Sequence, residues 1–222
     1  KKWGMVIIPG TEITKDGTTV GHFNALFTTD NNAIPSDNAV EAMRNAKAQG
    51  ALVMHNHPGW RKTSLDYTEA EKAGYDEGLI DGVEVMNDIE FYPGIIDRVR
   101  EKGLFIAACS DIHGSIHNDY GYSGYMRPMT LILAEDNSLE SLKEALQADR
   151  TIAIGFNTIC GAEPLLKEFV KASVSAKKVS PSSKTVMLTN NTSIPFLIQL
   201  GDANPVYLDP FTTTCVKGKA ND

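Results

Sequence analysis

Short apolar runs alternate with amphipathic helical patterns over most of the chain, and this alternation constrains the fold more than any other feature. Ser36 is a predicted N-cap for a helix that ends before Gly50, and Pro164 lies in the first turn of a last helix to about residue 172. Repeated strand–helix units predict a largely parallel sheet with helices outside, either a barrel or a doubly wound sheet. The predicted strands are residues 5–8, 22–28, 51–54, 82–87, 104–109, 130–134 and 151–154, and the other predicted helices are residues 67–75, 95–102 and 139–146.

The composition changes after about residue 175. Residues 177–184 are rich in Ser, Lys and Pro, which is typical of a linker. Three short strand candidates follow at residues 186–188, 196–198 and 206–208, separated by Asn, Gly, Asp and Pro. The sequence therefore predicts a main domain over residues 1–175 and a linker with a small all-β appendage over residues 176–222.

Composition excludes several classes of protein. The 222 residues carry a net charge of −7, which argues against a general nucleic-acid binder. Since no run of about 18 apolar residues occurs, we expect no membrane span, and no signal peptide is visible, so we expect a cytoplasmic protein. Three cysteines are too few for a disulfide framework. The oligomeric state stays open.

Candidate metal ligands follow the apolar runs. Asp111 and His113 close the run that begins at residue 104, and residues two apart on a strand share a face. A carboxylate with an imidazole suits Zn, Mn or Fe. The pair therefore predicts a metal-dependent hydrolase.

Three further candidates precede this pair. Glu12 lies just past a strand end, and His22 follows a glycine at the start of another strand. His55 and His57 form a His-x-His before Pro58, which predicts an extended backbone at His57. His57 is the favoured ligand of the two, and His55 is predicted to lie behind the ligands or in the core.

The pattern predicts that Glu84 and His117 lie outside the set of ligands. Glu84 lies on a predicted core strand, where it could accept a hydrogen bond from a ligand imidazole or form a buried ion pair with Lys or Arg. His117 lies in a loop rich in Gly, Tyr and Asn, and this position predicts a surface or substrate-loop residue.

Five short segments resemble successive motifs of the PHP (polymerase and histidinol phosphatase) family, in particular its stand-alone bacterial metal-dependent phosphoesterases. The resemblance covers roughly residues 3–170, and the motifs occur in the family's order. They are Pro-Gly-Thr-Glu-Ile-Thr at residues 9–14, Gly-His-Phe-Asn-Ala-Leu at 21–26, Asn-His-Pro-Gly-Trp at 56–60, Gly-Val-Glu-Val-Met-Asn at 82–87 and Ser-Asp-Ile-His at 110–113.

The resemblance implies an α/β fold, a distorted (β/α)7 barrel, with two or three divalent metal ions (Zn, Mn or Fe) and hydrolysis of phosphate esters by a metal-activated water. Glu12 would be the metal-bridging carboxylate, and His22 and His57 would bind the second metal. Asp111 would join the first metal and His113 the third. The implied substrate is a small phosphate ester or a nucleotide.

A cation would neutralise the substrate phosphate in such an enzyme. Arg127, just before a predicted strand, is the candidate because Arg binds phosphate through two hydrogen bonds. Arg61 and Lys62 are weaker candidates, with a surface role expected.

The family's opening strand, which ends in His-x-His, has no counterpart before Glu12. We therefore expect the N-terminal strands of the barrel to be missing from this chain. Two alternatives stay open: an amidohydrolase-type metal hydrolase, and a non-catalytic PHP-like domain.

Overall fold

The computed structural model describes residues 4–14, 21–35, 37–120, 126–199, 201–202 and 204–217. The chain divides into two compact units, Lys1–Gly161 and Ala162–Asp222. The strands of the first unit are β1 (Gly10–Ile13), β2 (Phe23–Leu26), β3 (Leu52–His55), β4 (Gly82–Asn87), β5 (Glu90–Phe91), β6 (Phe105–Cys109), β7 (Met129–Ile132), β8 (Thr151–Gly155) and β9 (Thr158–Gly161). Its helices are α1 (Ala39–Ala48), α2 (Glu69–Asp76), α3 (Ile96–Lys102), α4 (Ile116–Tyr120) and α5 (Leu139–Gln147).

The main sheet of the first unit is mixed rather than parallel. β2 pairs antiparallel with both β1 and β3, whereas β3, β4 and β6 run parallel to one another. The short β5 turns back antiparallel on the end of β4. A second sheet, β7–β8–β9, is entirely antiparallel.

The predicted (β/α)7 barrel is wrong. The described strands form separate open sheets, and the main sheet contains only two parallel pairs. A helix between two strands did not make them parallel: α1 connects β2 to β3 and α5 connects β7 to β8, yet both pairs are antiparallel.

Helices cover both faces of the main sheet. Successive residues of β3 alternate between two cores, since Val53 packs with α1 while Leu52 and Met54 pack with Leu146 of α5. This double burial explains why the predicted strands appeared as continuous apolar runs rather than alternating ones. The wider core of the α1 face also includes Phe23, Met43, Ile95, Val99 and Ile106.

Several predicted boundaries changed. The run at residues 5–8 is not a strand, and β1 begins only at Gly10. Ser36 lies outside the described residues; the side chain of Asn38 caps α1 by accepting from the amides of Val40 and Glu41. The predicted helix at residues 139–146 is confirmed as α5, with Ser138 as its N-cap.

The second unit contains α6 (Glu163–Ser173) and five strands. Leu188, Leu208 and Val216 form its small core. The strands are β10 (Val174–Lys178), β11 (Thr185–Asn190), β12 (Phe196–Ile198), β13 (Val206–Leu208) and β14 (Thr213–Lys217). The three predicted strands are present as β11, β12 and β13. The other two strands, β10 and β14, were not predicted, and β10 begins before the predicted linker and extends into it.

No helix in the described part of the chain has both the length and the apolar character that a membrane crossing requires.

Candidate metal centre

The antiparallel arrangement of β1, β2 and β3 brings three candidate ligands to one edge of the main sheet. Ile13 and His55 both pair with Phe23, so the ends of β1 and β3 meet the start of β2. Glu12 lies near the end of β1, His22 just before β2, and His57 two residues past β3. The edge is held further by a hydrogen bond from the Asn56 amide to the His22 carbonyl at 3.0 Å.

Glu12, His22 and His57 form a group that fits a metal ion. The Nδ1 atom of His22 lies 3.2 Å from Oε1 of Glu12 and 3.2 Å from Nε2 of His57. One donor atom from each residue lies within 4.8 Å of the others. Nitrogen and oxygen ligands at about 2.0–2.1 Å from a tetrahedral Zn²⁺ stand about 3.3–3.4 Å apart, so these separations suit a shared ion.

The backbone at His57 is held in an unusual conformation. Its φ is +26°, not the extended value that Pro58 predicts, so that expectation is wrong. The buried carboxylate of Glu84 accepts a hydrogen bond from the His57 amide at 2.7 Å. A strained backbone at a candidate site persists only where its surroundings hold it, and this hydrogen bond contributes to that support.

The electrostatics around His57 favour the neutral ring. Burial lowers the pKa of His57, and the neighbouring His22 lowers it further, while Asp111 and Glu12 oppose the change. A metal ligand must have a free nitrogen lone pair, so a lowered pKa reduces competition from protons.

Glu84 has neither of its predicted partners. Its carboxylate accepts from the His57 backbone, from Nδ2 of Asn87 at 2.8 Å and from the Cys109 thiol. Burial raises the pKa of Glu84 to about 7, although these three hydrogen bonds oppose the rise. Burial, together with Glu84, raises the pKa of Cys109, so the thiol keeps its proton and remains a donor.

A second polar cluster lies beside the first. His55 donates or accepts at both ring nitrogens, with Tyr75 Oη at 2.8 Å and Glu71 Oε1 at 3.0 Å. Lys62 Nζ lies 2.6 Å from both carboxylate oxygens of Glu71. Glu71 and His55 are each only 1% exposed in their side chains.

Glu71 stays ionised within this cluster. Burial alone would raise the pKa of the Glu71 carboxyl, but hydrogen bonds and charge from His55 and Lys62, with the Thr68 amide, lower it to about 2. Glu71 also closes a capping box with Thr68 at the start of α2. Gly21 makes room for it: a Cβ atom there would lie 2.8 Å from Glu71 Oε1, and the φ of Gly21 is +81°.

One pocket joins the two clusters. Trp60 forms a wall, with its ring centroid 5.3 Å from that of His22 and 5.1 Å from that of His57. The Arg61 guanidinium covers the Trp60 ring at 4.4 Å. The residues that line the pocket are Gly21, His22, Asn56, His57, Trp60, Lys62 and Glu71.

The other predicted site residues lie apart from the Glu12 group. β6 ends at Cys109 and Asp111 has a φ of +48°, so the argument that Asp111 and His113 share a strand face does not apply. Asp111 is close enough to His57 to affect its pKa. The His113 side chain is 84% exposed, and its Nδ1 lies 2.7 Å from the Asp111 carbonyl oxygen. Arg127 is half-buried before β7 and does not line the pocket.

Sequence reasoning missed Glu71 and Asn56, and it linked Gly21 to His22 but not to the space that Glu71 occupies. The sequence Thr68-x-x-Glu71 before a helical pattern was a readable capping-box signal, but it does not indicate that the carboxylate turns towards a histidine. Lys62 was ranked below Arg127, yet it is the cation that lines the pocket.

The chain is similar in fold and sequence to a solved structure. This is the crystal structure, at 2.20 Å, of a two-domain protein from Bacteroides vulgatus that contains a predicted PHP-like metal-dependent phosphoesterase. The TM-score is 0.84 and the identity 33%, over 97% of this chain and 66% of that one. The similarity supports the PHP family, and this chain spans about two thirds of the other protein's length.

No protein-family model matches the sequence. No curated protein matches it either. The similarity of fold and sequence to the Bacteroides protein, with the Glu12 group, therefore carries the case for a divalent metal site.

Proposed function

We propose that this chain carries the metal centre of a phosphoesterase that hydrolyses phosphate esters with a metal-activated water. The observation that carries the proposal is the convergence of Glu12, His22 and His57, with donor atoms 3.2 Å apart, on the edge of a pocket. The similarity to a protein with a predicted PHP-like metal-dependent phosphoesterase supports the reaction class.

Each residue of the group has a defined task in this proposal. The carboxylate of Glu12 and the rings of His22 and His57 would hold a divalent ion, and Glu84 fixes the His57 backbone. A bound divalent ion lowers the pKa of a coordinated water to about 7 and polarises the phosphoryl oxygens. Trp60 excludes bulk water from one side of the pocket.

The remaining assignments are predictions within the same proposal. Asp111 and His113 are candidate ligands for further ions, so that the site would hold two or three of Zn, Mn or Fe, and Arg127 is the candidate cation for the phosphate. The proposed substrate is a small phosphate ester or nucleotide. We also propose residues 1–175 as the hydrolase domain, residues 176–222 as an appendage, and a cytoplasmic location.

Turnover of p-nitrophenyl phosphate and bis-p-nitrophenyl phosphate with added Mn²⁺, Zn²⁺ or Fe²⁺ tests the proposal. We expect activity that EDTA removes and that His22→Ala and Asp111→Ala abolish. His117→Ala, which changes an exposed histidine in α4, should keep full activity. Turnover of amides or lactones without turnover of phosphates would reject the phosphoesterase in favour of an amidohydrolase-type enzyme.

A further inference from the structure

Asn56 contains a buried acceptor that its surroundings do not satisfy. Asn56 is 4% exposed and lines the pocket between the two polar clusters. Its Oδ1 atom has no hydrogen-bond partner among the residues that the structure describes. The backbone amide of Asn56 is used by the sheet edge, but this bond leaves the side-chain oxygen unpaired.

An unpaired buried acceptor is costly. Leaving such a group unsatisfied destabilises the folded protein, and native proteins commonly satisfy it with an internal water. A leucine at this position would avoid the cost. The presence of an amide therefore points to a ligand or water that donates a hydrogen bond to Oδ1.

The neighbouring donors of the pocket are already engaged. Lys62 Nζ has three hydrogens and three acceptors, namely both oxygens of Glu71 at 2.6 Å and the Asp66 carbonyl at 3.3 Å. The backbone amide of His57 donates to Glu84, and its Nε2 faces His22. Neither Lys62 nor the His57 amide therefore serves Asn56, which leaves a molecule bound in the pocket as the donor that we infer.

We propose that Oδ1 of Asn56 accepts a hydrogen bond from the water that attacks the phosphate, and so positions this water at the group of Glu12, His22 and His57. Asn56 is thus a positioning residue, and the assignment rests on the metal site of the proposed function. With one O–H donated to Asn56, the oxygen of this water would keep its lone pairs for attack on phosphorus. Partners behind a metal site typically contribute 10–100-fold to metal affinity.

Co²⁺ binding to the full 222-residue chain, followed by visible absorption, tests this assignment without any assay of activity. Asn56→Leu removes the acceptor and keeps the branching at Cγ, and we expect Co²⁺ to bind about tenfold more weakly. Asn56→Asp keeps an acceptor at the same place, and we expect binding at least as tight as in the wild type. Asn118→Leu changes an exposed asparagine in α4 and should leave the affinity unchanged.

Unchanged Co²⁺ affinity in Asn56→Leu overturns the assignment, and so does an Asn56→Asp variant as weak as Asn56→Leu. Inorganic phosphate provides a further check on the Co²⁺-loaded protein. One outcome would assign a different role to Asn56: Asn56→Asp loses phosphate binding, and Asn56→Leu keeps full Co²⁺ affinity. The Asn56 amide would then donate to phosphate, and the water assignment would be wrong.

The outcomes separate this inference from the proposed function. A wild type that binds no Co²⁺ removes the metal site and the Asn56 assignment together. A wild type that binds Co²⁺, with Asn56→Leu unaffected, removes only the Asn56 assignment.

Discussion

His55 and His57 lie two residues apart at the end of one strand, yet their surroundings differ in kind. Both nitrogens of His55 have protein partners, Tyr75 and Glu71, and its side chain is almost fully buried. The Nε2 of His57 faces Nδ1 of His22, and the same Nδ1 atom lies 3.2 Å from the Glu12 carboxylate. His55, whose two nitrogens already have protein partners, stabilises the fold. His57, which faces other side chains that can bind a metal, is available for an ion.

Two buried glutamates repeat this contrast. Glu71 has a lysine beside it and a pKa lowered to about 2, while Glu84 has neutral donors and a pKa raised to about 7. Burial is nearly the same for both side chains, at 1% exposure. The hydrogen bonds from His55 and Lys62 outweigh the effect of burial on the pKa of Glu71, whereas the neutral donors of Glu84 do not.

The largest expected effect separates the two histidines. His57→Ala should weaken Co²⁺ binding by more than the ~10–100-fold that loss of an outer partner costs, because it removes one of three donors. His55→Ala should change Co²⁺ affinity by less than about tenfold. It should instead destabilise the fold by about 2–3 kcal/mol, since it leaves a cavity and an unpaired Tyr75 hydroxyl.

Parallel Co²⁺ titration and urea unfolding of both variants measure these effects. Equal losses of Co²⁺ affinity in His55→Ala and His57→Ala would remove the distinction between the two clusters.

The next effect concerns the charge of Glu71. Lys62→Met keeps the side-chain volume but removes the ammonium, and we expect a loss of about 3 kcal/mol in the free energy of unfolding because a buried carboxylate loses its counter-charge. Lys72→Met is the matched control, since Lys72 pairs with Asp76 on the exposed face of α2 and should cost less than about 0.5 kcal/mol. Equal urea midpoints for the two variants would contradict the structural role of Lys62.

The third effect is a pH dependence with opposite signs for the two glutamates. The folded-state pKa of Glu84 lies above the ordinary value of 4.5. Its contribution to the free energy of unfolding is therefore fully present below pH 4.5 and is lost as the pH rises through 7. The difference corresponds to about 3 kcal/mol. Glu71 has the reverse sign, and its contribution is lost as the pH falls from 4.5 towards 2.

Urea unfolding of the metal-free protein in EDTA, from pH 4.5 to 8, checks this. Glu84→Gln should remove the decline in stability over that range, and Glu71→Gln should not. A decline that persists unchanged in Glu84→Gln would show that another group titrates.

The smallest expected effect comes from Gly21. Gly21→Ala places a methyl group against the fixed Glu71 carboxylate at a positive φ, and we expect a loss of about 2 kcal/mol. Gly78→Ala is the control, because Gly78 also has a positive φ but nothing within 4 Å of the added atom. Thermal unfolding of both variants isolates the contact with Glu71, and equal losses would mean that only the backbone conformation matters.

The positions of most elements could be predicted from the sequence, but their pairing could not. Apolar runs and caps located β3, β4, β6 and α5, because burial and capping are local signals. β2 pairs antiparallel with β3, and the apolar pattern of the two strands does not indicate this direction. The predicted barrel was wrong because it required parallel pairing where β2–β3 and β7–β8 are antiparallel.

The candidate site shows the same division. Glu12, His22 and His57 could be singled out because each polar residue adjoins an apolar run, and the structure places them together. The pairing of His55 with Glu71 crosses 16 positions from a strand to a helix, and no periodicity reveals it. The same-face argument for His113 required a strand that continued past Cys109, and it does not continue.

The clustering along the chain has a consequence for assembly. The residues of the Glu12 group, the His55–Glu71 cluster, Asn56 and the supporting Glu84 all lie between residues 12 and 84. Their contacts close loops of modest length, for which the entropic cost is small and formation is fast. All the residues that line the pocket therefore come from residues 21–71, and its lining needs no residue from the second sheet or the C-terminal unit.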